Sequence, residues 1–89
     1  MINHQPKDII KVIQEFNKYH GLEIRAEILS LKNNILIIQF TGSFCDSCGL
    51  ADYFEDFQIF LDDTAKIRAE IEYYEKIDTG TYQVHYRLL

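Results

Sequence analysis

An 89-residue chain makes one domain, and a domain this small folds around a thin core. Its composition, 47% hydrophobic and 26% charged, is that of an ordinary globular chain and argues against disorder, and six Phe and six Tyr supply the large apolar areas that a small core needs. A net charge of −5 argues against a phosphate-tracking surface and so against nucleic-acid binding. The longest apolar run, 35–38, is far too short to span a bilayer, and MINHQPKDII carries no signal-peptide pattern. The chain therefore reads as a soluble cytoplasmic protein with no membrane partner.

In chain order, Pro6 suits a first helical turn, where its missing N–H is not needed. Ile9, Val12, Ile13, Phe16 and Tyr19 follow at helical spacing, and Gly21 is a natural stop, which predicts a helix over Pro6–His20. Residues 22–31 alternate, with Leu22, Ile24, Ala26 and Ile28 on one face and Glu23, Arg25 and Glu27 on the other. At Leu29 and Leu31 the phase slips. Either a bulge restores it, or both faces are covered there, for example by a second subunit. Asn33-Asn34 predicts a two-residue turn, because Asn tolerates positive φ. The return strand, 35–41, is apolar on both faces and belongs in the centre of the sheet.

A second helix is predicted over 47–63, with Leu50, Tyr53, Phe54, Phe57 and Leu61 as its buried stripe. Residues 67–74 alternate again: Ile67, Ala69, Ile71 and Tyr73 are expected inside, with Arg68, Glu70, Glu72 and Tyr74 outside. Asp78-Thr79-Gly80 is a turn. In the last strand Tyr82, Val84, Tyr86 and Leu88 face in, and Gln83, His85 and Arg87 face out.

Ile-Arg-Ala-Glu-Ile occurs at 24–28 and again at 67–71, each time after a helix. Either both strands meet the same alternation requirement with common residues, or the chain is an internal duplication of αββ halves, 6–41 and 47–89, about a pseudo-twofold axis. Both readings predict an α+β fold of order αββαββ: a two-layer sandwich with two helices on one face of a four-stranded, mainly antiparallel sheet.

Cys45-Asp46-Ser47-Cys48 is the sharpest chemical signal. At a helix N-terminus a thiolate is stabilised by unbonded N–H groups and the dipole, and a second Cys three residues on can resolve a mixed disulfide. The stretch, an apolar strand ending at Phe40, a short loop, Cys-x-x-Cys and an amphipathic helix, resembles the active-site segment of the thioredoxin family over about a third of the chain. That resemblance implies a redox role for Cys45 and Cys48. The chain departs from the family in having Pro6 as its one proline, where a cis-proline opposite the cysteines is needed, and a helix and hairpin where a βαβ unit belongs. Asp46 opposes thiolate formation by charge repulsion. Three readings of the pair stand: small half-buried residues closing a turn, a thiol/disulfide pair, or two ligands of a zinc ion shared across a dimer. The geometry expected of the helix start makes Cys45 the more exposed thiol and Cys48 the more buried.

Asp52, Glu55 and Asp56 diverge from one helix and read as a solvated face, or a docking surface for a basic partner, rather than a cation site. His20, at a helix C-terminus, and His85, on an outward strand position, read as structural or surface residues. Tyr73, Tyr74, Tyr82 and Tyr86 read as core and sheet surface. The function expected is a non-enzymatic binding or assembly module acting through a sheet face or the acidic helix; the alternative is a thiol or metal protein using Cys45 and Cys48. Unless a bulge re-aims them, Leu29 and Leu31, placed opposite Leu36, Ile38 and Phe40 on the polar side of the first hairpin, predict a homodimer through that sheet face or edge.

Overall fold

The computed structural model describes residues 6–21, 23–42 and 50–89. The elements run α1 (Pro6–His20), β1 (Ile24–Lys32), β2 (Ile35–Gly42), α2 (Leu50–Ala65), β3 (Ala69–Asp78) and β4 (Thr81–Leu88). This is the expected αββαββ order of an α+β fold. The sheet has strand order β1-β2-β4-β3, and every neighbouring pair is antiparallel. β2, apolar on both faces, is central, as its composition predicts. No parallel crossover of the thioredoxin kind joins the described strands.

One apolar core receives residues from both helices and from one face of the sheet. Ile9, Val12, Ile13 and Phe16 of α1 and Phe54, Phe57 and Leu61 of α2 meet Leu36, Ile38 and Phe40 of β2 and Tyr82, Val84, Tyr86 and Leu88 of β4. The rings organise it. Phe16 meets Phe57 edge-on at 5.3 Å, and Phe40 lies against Phe16, Phe54 and Phe57 at 5.7, 5.1 and 5.7 Å. Such tilted and edge-on pairs are favoured by the ring quadrupole. Inside the core, the Tyr86 hydroxyl donates to the Phe54 carbonyl at 2.8 Å.

α1 has the bounds expected of it. It ends where a Cβ on Gly21 would lie 2.3 Å from the Asn17 carbonyl oxygen, so no larger residue fits without a backbone shift. Tyr19 departs from the predicted stripe and is 77% exposed. It sits in the last turn, where its ring touches only the edges of His20 and Phe60, at 5.0 and 5.9 Å. α2 runs two residues past its predicted end, to Ala65. Lys66, at φ 58°, closes it with its N–H on the Asp62 carbonyl at 3.0 Å, an αL cap. The expected helix start at Ser47 lies outside the described residues.

Bulges reset the facing of both outer strands, in β1 as one of the two expected alternatives and in β3 against expectation. In β1, Ile28 pairs with Ile38 and Ser30 with Ile37, so Leu29 is the extra residue. The bulge returns Leu31 to the core side, where it pairs with the buried Leu36 and packs against the core. Leu36, Ile38 and Phe40 are fully buried in the chain's own core, so the two-sided apolar patch expected on the first hairpin does not form. Leu29 alone remains outside, 45% exposed.

In β3, Ile71 pairs with Tyr86 and Tyr73 with His85, which makes Glu72 the extra residue. The slip reverses the predicted facing of the two tyrosines. Tyr73 turns outward and stacks on His85 at 4.2 Å, while Tyr74 turns inward against Phe54 at 4.9 Å. Each bulge comes directly after an Ile-Arg-Ala-Glu-Ile segment.

Two tight turns close the hairpins. Asn33 and Asn34 both have positive φ, 54° and 64°, the type I′ signature. In the second hairpin Gly80, at φ 72°, takes the left-handed position. Each turn is stitched to the other hairpin: Leu88 donates to the Asn34 carbonyl at 2.8 Å, and Gly42 donates to the Gly80 carbonyl at 2.9 Å.

Candidate functional site

Cys45, Asp46 and Cys48, the residues the sequence singles out, lie outside the described residues. The nearest described anchor before them is Gly42, bonded to Gly80; the nearest after them is Leu50, where α2 is first described. The acidic positions of α2 do not converge. Asp52 and Glu55 are exposed, and Asp56 turns instead toward α1. Among the described residues, no group of three or more His, Cys, Asp or Glu is placed to hold a metal ion.

The Asp56 contact joins two residues that sequence reasoning kept apart. His20 Nε2 and Asp56 Oδ2 are 2.5 Å apart. Rings surround the imidazole: Phe16 at 4.7 Å, Tyr19 at 5.0 Å, Tyr53 at 5.7 Å and Phe60 at 6.3 Å. Beside it the Tyr53 hydroxyl donates to Glu23 at 2.6 Å, and this bond, ahead of desolvation, raises the Tyr53 pKa. The arrangement fastens the C-terminal end of α1 to the middle of α2. His20 also occupies the end of the helix dipole that favours positive charge. The pair and the rings around it tie α1 to α2. The two residues are far apart in the chain, and neither carries a local signal of its partner.

The second notable region is the outer edge of β3. The strand order leaves β1 and β3 at the two borders of the sheet, and a border strand directs half its backbone polar groups outward. On β1 this edge is met from α1. The Asn17 side chain accepts from the Ala26 N–H at 2.7 Å and donates to the Ala26 carbonyl at 3.0 Å, imitating a paired strand. On β3 the Leu89 N–H bonds the Arg68 carbonyl, so by antiparallel alternation Ala69 and Ile71 direct their backbone groups to the outer edge. There Gln58 of α2 donates to the Ala69 carbonyl at 2.6 Å, reaching that one group only.

Beyond Ala69 the strand keeps contact with the core through Ile71 and with α2 through Tyr74, which lies against Phe54. A shallow groove of about 540 Å³ separates helix and strand, with Glu55, Ile59 and Asp62 on one wall and Arg68, Glu70 and Leu89 on the other. From Glu72 to Thr79 every residue is exposed, including Tyr73 at 54% and Ile77 at 48%. The register places Glu70, Tyr73, Glu75 and Asp78 opposite Arg87, His85, Gln83 and Thr81, on the sheet face turned away from the helices. Glu70 accepts from Arg87 at 2.9 Å, and this bond, with Glu72 nearby, raises the Arg87 pKa. Ile71 and Tyr74 lie opposite Tyr86 and Val84, on the core side. The result is a long border strand, aromatic and acidic on its outer face, with Ile71, Tyr74 and then Lys76, opposite Tyr82, on its inner one.

The chain matches no family model, no curated protein and no solved structure. No described helix is long and apolar enough to cross a membrane.

Proposed function

We propose that this chain is a binding module rather than an enzyme, and that it receives an extended segment of a partner protein along the outer edge of β3. One observation carries the reading: at Ala26 of β1 Asn17 meets both backbone groups, whereas at Ala69 of β3 Gln58 meets the carbonyl alone, and β3 runs on with Tyr73, Tyr74 and Ile77 about half exposed. Strand addition of this kind draws affinity from main-chain hydrogen bonds and selectivity from alternate side chains. The acidic balance of the chain favours a protein partner over nucleic acid. Self-association through the first hairpin is less favoured, because Leu31, Leu36 and Ile38 pack in or against the chain's own core and Leu29 is left exposed without them.

Selection from a random-sequence peptide library displayed on phage tests this. Extended, proline-free peptides are expected to be enriched, and amide resonances of residues 71–77 are expected to shift on binding. Ile71→Pro removes an edge-facing N–H and leaves the ladder to β4 intact, so it should abolish capture while the other hairpin's amides stay in place. Capture that survives Ile71→Pro, or shifts confined to α1 and β1, overturns the proposal.

A further inference from the structure

We infer that the segment received on β3 is basic, with Lys or Arg at alternate positions; this rests on the strand-addition reading above. The argument is the charge of the edge. β3 carries Glu70, Glu72, Glu75 and Asp78 against the one basic residue Lys76. Glu70, Glu75 and Asp78 share the outer face with Tyr73, and the α2 wall of the adjoining groove adds Glu55 and Asp62.

In an antiparallel ladder, side chains of neighbouring strands on one face lie directly beside each other. Opposite charges there are favourable and like charges are not. A second copy of β3 would bring carboxylates against carboxylates, on a chain already at −5. The same charges that repel a second copy select an incoming strand of opposite sign. Its alternate basic residues would lie beside Glu70, Glu75 and Asp78. Its intervening apolar residues would lie on the core side, beside Ile71 and Tyr74. The exposed ring of Tyr73, stacked on His85, offers a face to an arginine or lysine of that strand.

Three short synthetic peptides of the same length test the inference on the full chain: alternating Lys-Val, alternating Ser-Val and alternating Glu-Val, read by fluorescence anisotropy and by amide shifts. The Lys-Val peptide is expected to bind about tenfold more tightly than Ser-Val, as a few favourable cross-strand pairs would give. Its shifts should map to β3, and its affinity should fall with added salt. The double variant Glu72→Lys/Glu75→Lys should erase the preference, while Asp52→Lys/Asp63→Lys, which changes the net charge equally on exposed α2 positions, should leave it within about twofold. Equal binding of all three peptides at β3 overturns the basic preference and leaves strand addition standing. Equal loss in both double variants, or shifts spread over α2, shows general charge attraction and overturns it as well. Failure of every peptide to bind removes the strand-addition reading along with it.

Discussion

The two αββ halves solve one structural problem with different completeness. Aligning Ile35–Gly42 on Thr81–Leu88 places Leu36, Ile38 and Phe40 on Tyr82, Val84 and Tyr86, all buried at the same depth of the core. Both outer strands carry the Ala-Glu-Ile of the same five-residue segment, bulge directly after it, and meet a helix side-chain amide at its alanine. The difference lies at the border. Asn17 is short and fixed near the end of α1, so both its amide groups meet Ala26. Gln58 is one methylene longer and reaches Ala69 with its nitrogen alone. The inner strands thus bury matching positions, while at the alanine of the outer strands the first half bonds two backbone groups and the second half one.

The largest test of this comparison is the shared core. Phe16→Ala and Phe57→Ala each remove a fully buried ring from the centre, one from each half. Each is expected to cost about 3–5 kcal/mol in urea denaturation. A loss below about 1 kcal/mol for either would mean that its half does not depend on the common core.

The edges come next. Asn17→Ala strands both a donor and an acceptor on Ala26 and should cost about 1–3 kcal/mol. Gln58→Ala strands one carbonyl beside an open groove and should cost about 0.5–1.5 kcal/mol. Hydrogen exchange should then accelerate at Ala26 in the first variant and little at Ala69 in the second. Equal costs would erase the distinction between the two borders.

A smaller effect separates Phe40 from Tyr86, which occupy matching sites. Burial holds the Tyr86 phenol well above its ordinary pKa. The unfolded chain loses that proton near pH 10, whereas the folded chain keeps it to higher pH. The folded state thus binds more protons above about pH 10, and stability contributed by the neutral phenol is present below that pH and lost as pH rises beyond it. Tyr86→Phe should flatten this alkaline decline and, near neutral pH, cost about 1 kcal/mol for the bond to Phe54. An unchanged alkaline slope in thermal melts would contradict the assignment.

Much of the architecture was legible because its signals are local. Apolar spacing, Pro6 and Gly21 delimit α1, and Asn33-Asn34 marks the first turn. The β1 bulge announced itself because leucines fell on a charged face. The β3 bulge did not, since Tyr73 and Tyr74 are each tolerable on either face of a border strand, and alternation continued unbroken on paper. The helix-two stripe at Phe54, Phe57 and Leu61 was readable, whereas Tyr19 was misplaced because periodicity says nothing of where a helix outruns its cover. Contacts between distant residues left no trace: neither His20 with Asp56 nor Asn17 with Ala26 has a short-range signature. The border position of β3 follows only from strand order, which alternation does not encode. Cys45 and Cys48, the clearest motif in the chain, lie outside the described residues.

The crossed stitches, Leu88 to Asn34 and Gly42 to Gly80, have a consequence for misfolding. The central β2–β4 ladder is centred on Ile38 opposite Val84 and is clamped at both ends by bonds from the opposing turns. Sliding it by one residue would turn Leu36, Ile38 and Phe40 to water and break both clamps together. A register slip of this ladder is thereby penalised twice, by the exposed apolar face and by the two lost bonds.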